Sequence, residues 1–177
     1  MDQKELKIPK ERIAVLIGKE GEVKNRLEEK GKVKIDIDSK EGDVFIEGDS
    51  IDVYVMVSVV KAIARGFNPE IAETLLNEKN SFELLDIQDF VGKSKKDQMR
   101  LKGRVIGQEG KSRKYLESFC EVKMVVYGKT IGIIGELERV AIAKQAIEML
   151  LEGSPHGNVF KWLDNKKREL IRRELEG

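Results

Sequence analysis

The sequence holds too few of the residues that build disulfide bonds, metal centres or membrane spans. Cys120 is its only cysteine and His156 its only histidine among 177 residues. One cysteine cannot form an internal disulfide, and metal centres built on thiolate and imidazole ligands need more of both. The apolar runs are far shorter than the roughly 20 residues of a membrane helix, and the opening MDQKELK lacks the apolar core of a signal peptide. We therefore expect a cytoplasmic protein with no metal ion, no cofactor and no membrane contact.

Recognisable enzyme motifs are absent as well. The chain contains neither the GxxxxGK[ST] phosphate-binding loop nor the GxGxxG dinucleotide motif. His156 stands alone in the segment SPHG, so a turn or capping role is expected for it. The carboxylates are scattered through lysine-rich segments and offer no evident acid–base pair. The sequence predicts a protein that is not an enzyme.

The net charge is only +1, but the charges are unevenly distributed along the chain. Residues 36–92 carry 13 acidic and 4 basic side chains, whereas residues 93–115 carry 9 basic and 2 acidic ones. A local basic stripe on a nearly neutral protein is typical of a polyanion-binding site. A solvated lysine-rich helix face is the simpler alternative. The acidic stretch does not suit RNA and would fit a basic protein partner or serve solubility.

One segment of the chain occurs twice. The letters LIGKEGEVKNRLE at residues 16–28 return as VIGQEGKSRKYLE at residues 105–117, with six identities in thirteen positions at an offset of 89 residues. The similarity continues downstream, where KVKIDID corresponds to EVKMVVY and a later long apolar segment also recurs. A tandem repeat of this length indicates two similar domains.

Each copy predicts the same order of elements. A strand is followed by a short helix, a GxxG sequence, a second helix, two strands and a long helix, because alternating stretches such as KVKIDID indicate strands and the paired glycines interrupt a helix. We predict one domain at residues 1–66, a helical linker at 67–81, a second domain at 82–153 and a C-terminal helical extension at 154–177.

This arrangement around GxxG resembles the type I KH domain, in which the additional strand and helix follow the core. The resemblance implies an α+β fold with two tandem type I KH domains, each a three-stranded antiparallel sheet with three helices, followed by a C-terminal helix. KH domains bind single-stranded RNA, and their GxxG loop clamps about four nucleotides.

The candidate RNA-binding residues surround the two GxxG loops. A helix that begins directly after glycine directs free N–H groups and its positive dipole end toward a phosphate, and glycines let a sugar–phosphate backbone approach closely. The second loop has more basic neighbours, so we expect it to bind RNA more strongly, with the first domain adding specificity or acting as a structural platform. The predicted residues are Arg104, Gly107, Gln108, Glu109, Gly110, Lys111, Arg113 and Lys114 in the second copy and Arg12, Gly18, Lys19, Glu20, Gly21 and Lys24 in the first.

The segments IGKEG, VIGQEGKSRKYLE and SPHGNVFKWL together resemble the archaeal partner-of-Nob-one family of small-subunit ribosome assembly proteins, over almost the whole chain. The resemblance implies binding near the 3′ end of small-subunit ribosomal RNA, with residues 107–110 as the RNA clamp. It also implies assistance to the Nob-one endonuclease in the final cut there, and contact with the alpha subunit of translation initiation factor two. Eukaryotic members have a degraded first GxxG, so the intact GKEG fits an archaeal member.

Two other interpretations stay open at this stage. One is a general tandem-KH adaptor in RNA degradation or transcription, and the other is a protein–protein scaffold whose KH folds no longer bind RNA. A clamp on about four phosphates predicts a log–log salt slope near −3. A scaffold predicts weak binding that does not depend on RNA sequence.

Overall fold

The chain forms two compact units, Met1–Phe82 and Glu83–Gly177, in a computed structural model that describes all 177 residues. The elements of the first unit are β1 (Asp2–Lys7), α1 (Lys10–Ile17), α2 (Glu22–Gly31), β2 (Val33–Asp38), β3 (Asp43–Gly48), α3 (Ser50–Ala64) and α4 (Pro69–Ala72). Those that follow are β4 (Asn80–Asp86), α5 (Gln88–Val91), α6 (Lys95–Ile106), α7 (Lys111–Cys120), β5 (Lys123–Tyr127), β6 (Thr130–Glu136), α8 (Leu137–Leu151) and α9 (His156–Glu176). None of the helices combines the length and apolar character that crossing a bilayer requires.

Both units contain a three-stranded sheet with the last strand in the middle. The strand order is β1-β3-β2 in the first sheet and β4-β6-β5 in the second. In the first sheet β3 pairs antiparallel with both edge strands, so that Ile46 lies opposite Lys4 on one side and Ile35 on the other. The alternation in KVKIDID places Val33 and Ile35 on the buried face, as predicted.

The helices cover one face of each sheet and close a core over it. In the second unit, α6 and α7 bury residues at helical spacing, among them Leu101, Val105 and Leu116. The C-terminal helix α9 contributes Val159 and Leu163 to the same core, both fully buried. It is therefore an integral layer of the second unit.

The segment predicted as a helical linker, residues 67–81, is packed within the first unit. Phe67 and Ala72 are fully buried and Leu75 is nearly so. The Phe67 ring meets the Phe82 ring edge to face with centroids 6.0 Å apart. The helical stretch expected there is present from Pro69 to Leu76, and its apolar side chains extend the core that α3 begins.

Cys120 is the last residue of α7, and β5 begins only at Lys123, although the alternating stretch that starts at Cys120 in the sequence suggests a strand there. The helix is ended by Glu121, which adopts the left-handed conformation with φ 56°. Lys32 ends α2 in the same way with φ 56°. Glycine usually takes this position, so neither end is marked in the sequence.

Candidate nucleic-acid interface

The GKEG and GQEG loops share one backbone conformation. Gly18 and Gly107 have φ/ψ values of 76°/175° and 75°/171°. A Cβ atom on either would lie 2.7 Å from the backbone nitrogen of Val23 or Ser112, respectively. Real Cβ atoms do not approach so closely, and the positive φ independently favours glycine. The first glycine of each loop is therefore required by the way the loop folds onto the next helix.

The third residue of each loop is a glutamate in the left-handed region. Glu20 has φ 54° and Glu109 has φ 56°, and both side chains are exposed. Left-handed geometry is unfavourable for a residue with a Cβ atom. Each loop thus holds a strained residue whose carboxylate faces solvent beside the expected path of a phosphate.

The two helices that follow the loops differ in how well they suit an anion. Both α2 and α7 begin after a left-handed glycine, and no side chain caps either N-terminus. The first turn of α2 contains Glu22, whereas the first turn of α7 contains no acidic residue. Because the helix dipole is positive at this end, α7 offers the more favourable environment for a phosphate.

Lys111 and Lys114 are the exposed basic residues of α7. Both side chains lie in solvent close to the GQEG loop and form no ion pair within 4.0 Å. Of the cations predicted around this loop, these two are available to a phosphate without breaking an existing contact.

Arg113 and Lys24 each pair with a glutamate one helical turn further on. Arg113 lies 3.5 Å from Glu117, and Lys24 lies 3.2 Å from Glu28. An i,i+4 pair of this kind is weak, so these cations remain candidates for RNA contact but start from a partly neutralised position.

Arg104 and Arg12 have a structural partner instead. Arg104 donates to the carbonyl oxygens of Leu150 at 2.9 Å and Ser154 at 2.5 Å. Arg12 donates to the corresponding carbonyls of Ile63 and Phe67, both at 2.8 Å. The two arginines fasten the first KH-type helix of each unit to the C-terminal end of its long helix. When the repeats are aligned, Arg12 corresponds to Leu101, so Arg104 lies about one helical turn further along its helix than Arg12 does.

A groove of about 620 Å³ opens beside the GQEG loop. We name it the helix groove, because its walls come from α6, α7 and α9 and include no β5 residue. Besides the loop, its main lining residues are Arg100, Gly103, Ser112, Tyr115, His156 and Phe160.

His156 fastens the start of α9 to the end of α6. Its Nε2 lies 2.8 Å from the carbonyl oxygen of Arg104 and donates to it. This oxygen belongs to the last turn of α6, where intrahelical partners run out. The capping role expected for His156 is thus confirmed.

The helix groove has an aromatic wall made by Tyr115 and Phe160. Phe160 packs against the core of the second unit, as the amphipathic pattern of the C-terminal segment favours over base stacking, and its ring also lies 4.1 Å from that of Tyr115, centroid to centroid. Burial raises the pKa of Tyr115, and the charge of Asp164 raises it further, so the hydroxyl stays protonated. The sequence signal that points to this wall is Tyr115, an aromatic residue at the position that Arg26 occupies in the first copy.

Two family models match the chain. One, described as a eukaryotic type KH-domain (KH-domain type I), matches residues 81–168, and a KH domain model matches residues 3–61. The predicted α+β fold of two tandem type I KH domains is therefore confirmed.

Relatives of the chain occur in archaea and eukaryotes. KH domain-containing protein MJ0443 of Methanocaldococcus jannaschii is 46% identical over 176 residues, which cover 97% of this chain and 77% of that protein. Pre-rRNA-processing protein pno1 of Schizosaccharomyces pombe is 33% identical over 111 residues, which cover 60% of this chain and 44% of that protein. The match thus spans less than half of this eukaryotic relative.

Solved structures give a similar result. Dim2p from Pyrococcus horikoshii OT3 superimposes with a TM-score of 0.86 at 42% identity, covering 93% of this chain and 99% of that one. A chain in the crystal structure of an a/eIF2alpha-aDim2p-rRNA complex from the same organism gives a TM-score of 0.87 at 42% identity, with 95% of each chain covered.

Proposed function

Because the chain belongs to the archaeal PNO1 (Dim2p) family of tandem KH-domain proteins, we propose that it binds single-stranded ribosomal RNA through the GQEG loop of its second unit. The observation that carries this proposal is the pairing of an uncapped α7 N-terminus with Lys111 and Lys114, two exposed cations that have no ion partner. This combination attracts phosphates while the loop glycines permit a backbone to approach.

The role of that RNA contact is ribosomal RNA processing. It is supported by the pre-rRNA-processing names of the eukaryotic relatives and by the rRNA in the Pyrococcus complex. We place the bound sequence near the 3′ end of the small-subunit RNA, where the protein would position the substrate of the Nob-one endonuclease. It does so without catalysing the cut itself.

A second partner follows from the same complex, which contains a/eIF2alpha. We propose that the initiation factor subunit binds this chain as well. Whether the subunit and the RNA bind together is tested by adding the subunit to a preformed complex with RNA and measuring the size of the product.

The central experiment is a titration of the full chain with labelled single-stranded RNA. One RNA matches the 3′ end of the organism's small-subunit rRNA, and the other is a scrambled sequence of equal composition. A Gln108→Asp/Glu109→Asp variant, checked for native unfolding behaviour, is titrated beside the wild-type chain.

Preference for the matched RNA, lost in the variant, is the expected result. Equal and weak binding of both RNAs, unchanged in the variant, would refute the RNA-clamp proposal. A protein–protein scaffold would then be the better account.

A further inference from the structure

The helix groove lies on the side of α7 that faces away from β5. On the β5 side, Glu117 accepts a hydrogen bond from the backbone nitrogen of Met124 at 3.1 Å. Tyr115 precedes Glu117 by two residues, which at 3.6 residues per turn directs it to the far side of the helix. There its ring contacts Phe160 of α9. The GQEG loop is therefore bordered by two different surfaces, of which the KH-type strand β5 supplies only one.

The helix groove contains a buried hydroxyl group without a partner. Ser112 is only 6% exposed, lines the groove, and its Oγ atom forms no hydrogen bond. Buried polar atoms are nearly always paired in native proteins, and each exception requires an explanation. The first unit has Val23 at the corresponding position. A polar group on a bound molecule would satisfy the Ser112 hydroxyl.

The floor of the groove is kept open by a glycine that the fold does not need. Gly103 lies inside α6, and a Cβ atom built on it would meet nothing within 4 Å. A helix is less stable with glycine than with alanine in its interior. The first unit has Ala14 at the position that corresponds to Gly103. The missing side chain leaves the backbone accessible from the groove.

The remaining lining suits a planar, anionic ligand. Tyr115, Phe160 and His156 supply ring surfaces on one wall, and Lys111 supplies an unpaired cation at the mouth. Arg100 adds a second cation, which is 60% exposed and only loosely paired with Asp97 at 3.8 Å. Stacking on aromatic side chains is how proteins hold unpaired bases, and cations hold the attached phosphates.

From these observations we propose that the helix groove binds one unpaired RNA base, from a nucleotide next to those clamped by the GQEG loop. This inference rests on the proposed RNA-binding function and adds to it a second contact surface. The base stacks on the Tyr115 and Phe160 wall, its edge bonds Ser112, and its phosphate lies near Lys111.

The first unit has no such surface. Arg26 stands in place of Tyr115 and is bound to Glu73 at 2.5 Å. Lys30 stands in place of Phe119, whose ring stacks on Tyr115 in the second unit with centroids 5.3 Å apart. The aromatic wall is therefore a feature of the second unit, and Ala14, which stands where the second unit has Gly103, provides a matched control.

The test uses full-length Gly103→Leu, which places a side chain in the groove, and Ala14→Leu as the control in the first unit. Both are titrated with the matched RNA and with copies that carry one abasic nucleotide at each position in turn. In the wild-type chain and in Ala14→Leu, we expect one abasic position outside the clamped four to weaken binding roughly ten-fold. In Gly103→Leu, an abasic nucleotide at that RNA position should no longer weaken binding. The intact RNA should itself bind about ten-fold more weakly to this variant than to the wild-type chain.

Three outcomes separate the explanations. If no position outside the clamped nucleotides matters in the wild-type chain, or if Gly103→Leu responds to abasic substitution as the wild type does, the base pocket is refuted while RNA binding stands. If the wild-type chain binds no RNA, the proposed function itself fails. If Gly103→Leu keeps normal RNA binding but loses a/eIF2alpha, the groove is a protein-binding site and the proposal is overturned. Gly103→Ala, which favours the helix, checks that α6 tolerates substitution.

Discussion

Glu117 in the second unit and Glu28 in the first make the same two contacts. Each pairs with a basic residue one turn earlier, and its second carboxylate oxygen accepts the backbone N–H of Met124 or Ile35, at 3.1 and 2.9 Å. These N–H groups belong to edge strands of the two sheets. The glutamates therefore fix the second KH helix to the strand beside it, and hold the helix that the loop glycines lead into.

Replacing Glu117 by alanine should lower the free energy of unfolding by about 1 to 2 kcal/mol, because a half-buried N–H loses its acceptor. Urea denaturation measures the change. Glu117→Gln keeps an acceptor oxygen and should recover most of the loss, while Ser118→Ala, exposed on the same helix, should have little effect. Equal stability of the alanine and glutamine variants would contradict this role.

Cys120 is buried, and burial raises the pKa of its thiol from 9.0 to about 11, although the charges of Lys167 and Arg139 oppose the shift. At a pH between these two pKa values, the Cys120 thiol is deprotonated in the unfolded chain but still protonated in the folded chain. The unfolded state then binds fewer protons, so stability must fall as pH rises through this range.

Cys120 should lower the free energy of unfolding at alkaline pH by roughly 2 to 3 kcal/mol. This effect is measured as the difference in unfolding free energy between the wild-type chain and Cys120→Ala, recorded at several pH values from 8 to 11. Because lysines and tyrosines titrate equally in both chains, the difference isolates the thiol. A difference that stays constant with pH would show that the thiol is accessible to solvent in the folded state.

At the scale of elements, local patterns predicted most of what is observed. Helices Lys10–Ile17 and Lys95–Ile106 begin and end where apolar spacing and the following glycine place them. Ends fixed by a non-glycine left-handed residue, such as Glu121, left no mark in the sequence. The helix groove was missed for a different reason, since it depends on α9 lying against α7, a contact between residues far apart in the chain.

Charge alone also did not reveal the partners of the Arg104 and Arg12 guanidinium groups. Both stand near a GxxG loop in the sequence, yet both donate to carbonyl oxygens at the end of a long helix. Sequence proximity to the loop did not reveal on which face of the helix each arginine lies. Lys111 and Lys114, one turn apart on α7, were predicted on the same grounds and are exposed.

Glu109 separates two properties of the GQEG loop, its strain and its charge. Glu109→Gln removes the charge and keeps the left-handed side chain, so RNA affinity should rise by about two- to five-fold at low salt with little change in stability. Glu109→Gly removes the charge and the strain, and should add about 1 kcal/mol of stability as well. Fluorescence anisotropy and urea denaturation provide the two readouts.

Glu20→Gln is the matched control for this pair. It makes the same change in the GKEG loop and should raise RNA affinity less, because the first turn of α2 still contains Glu22. Weaker RNA binding by Glu109→Gln would mean that the carboxylate contacts RNA as a hydrogen-bond acceptor.

On the scale of the whole molecule, the two units carry opposite net charges. Residues 1–82 contain 14 basic and 17 acidic side chains, and residues 83–177 contain 19 basic and 15 acidic ones. The duplication that preserved loop geometry thus did not preserve charge. A polyanion should be attracted to the second unit first, and the intact GKEG loop of the first unit would add its contacts in a less favourable field.

This asymmetry predicts unequal effects from equal changes in the two loops. In the full chain, Gln108→Asp/Glu109→Asp introduces the same two aspartates as Lys19→Asp/Glu20→Asp. The second-unit variant should lose most of its RNA affinity. The affinity of the first-unit variant should fall by no more than about ten-fold, although this variant loses a lysine and its net charge falls by one unit more than that of the second-unit variant. Wild-type binding by a single clamp on about four phosphates should show a log–log salt slope near −3. A slope near twice that value, with equal losses in both variants, would instead show that the two loops clamp RNA equally, because each set of phosphate contacts releases its own counterions.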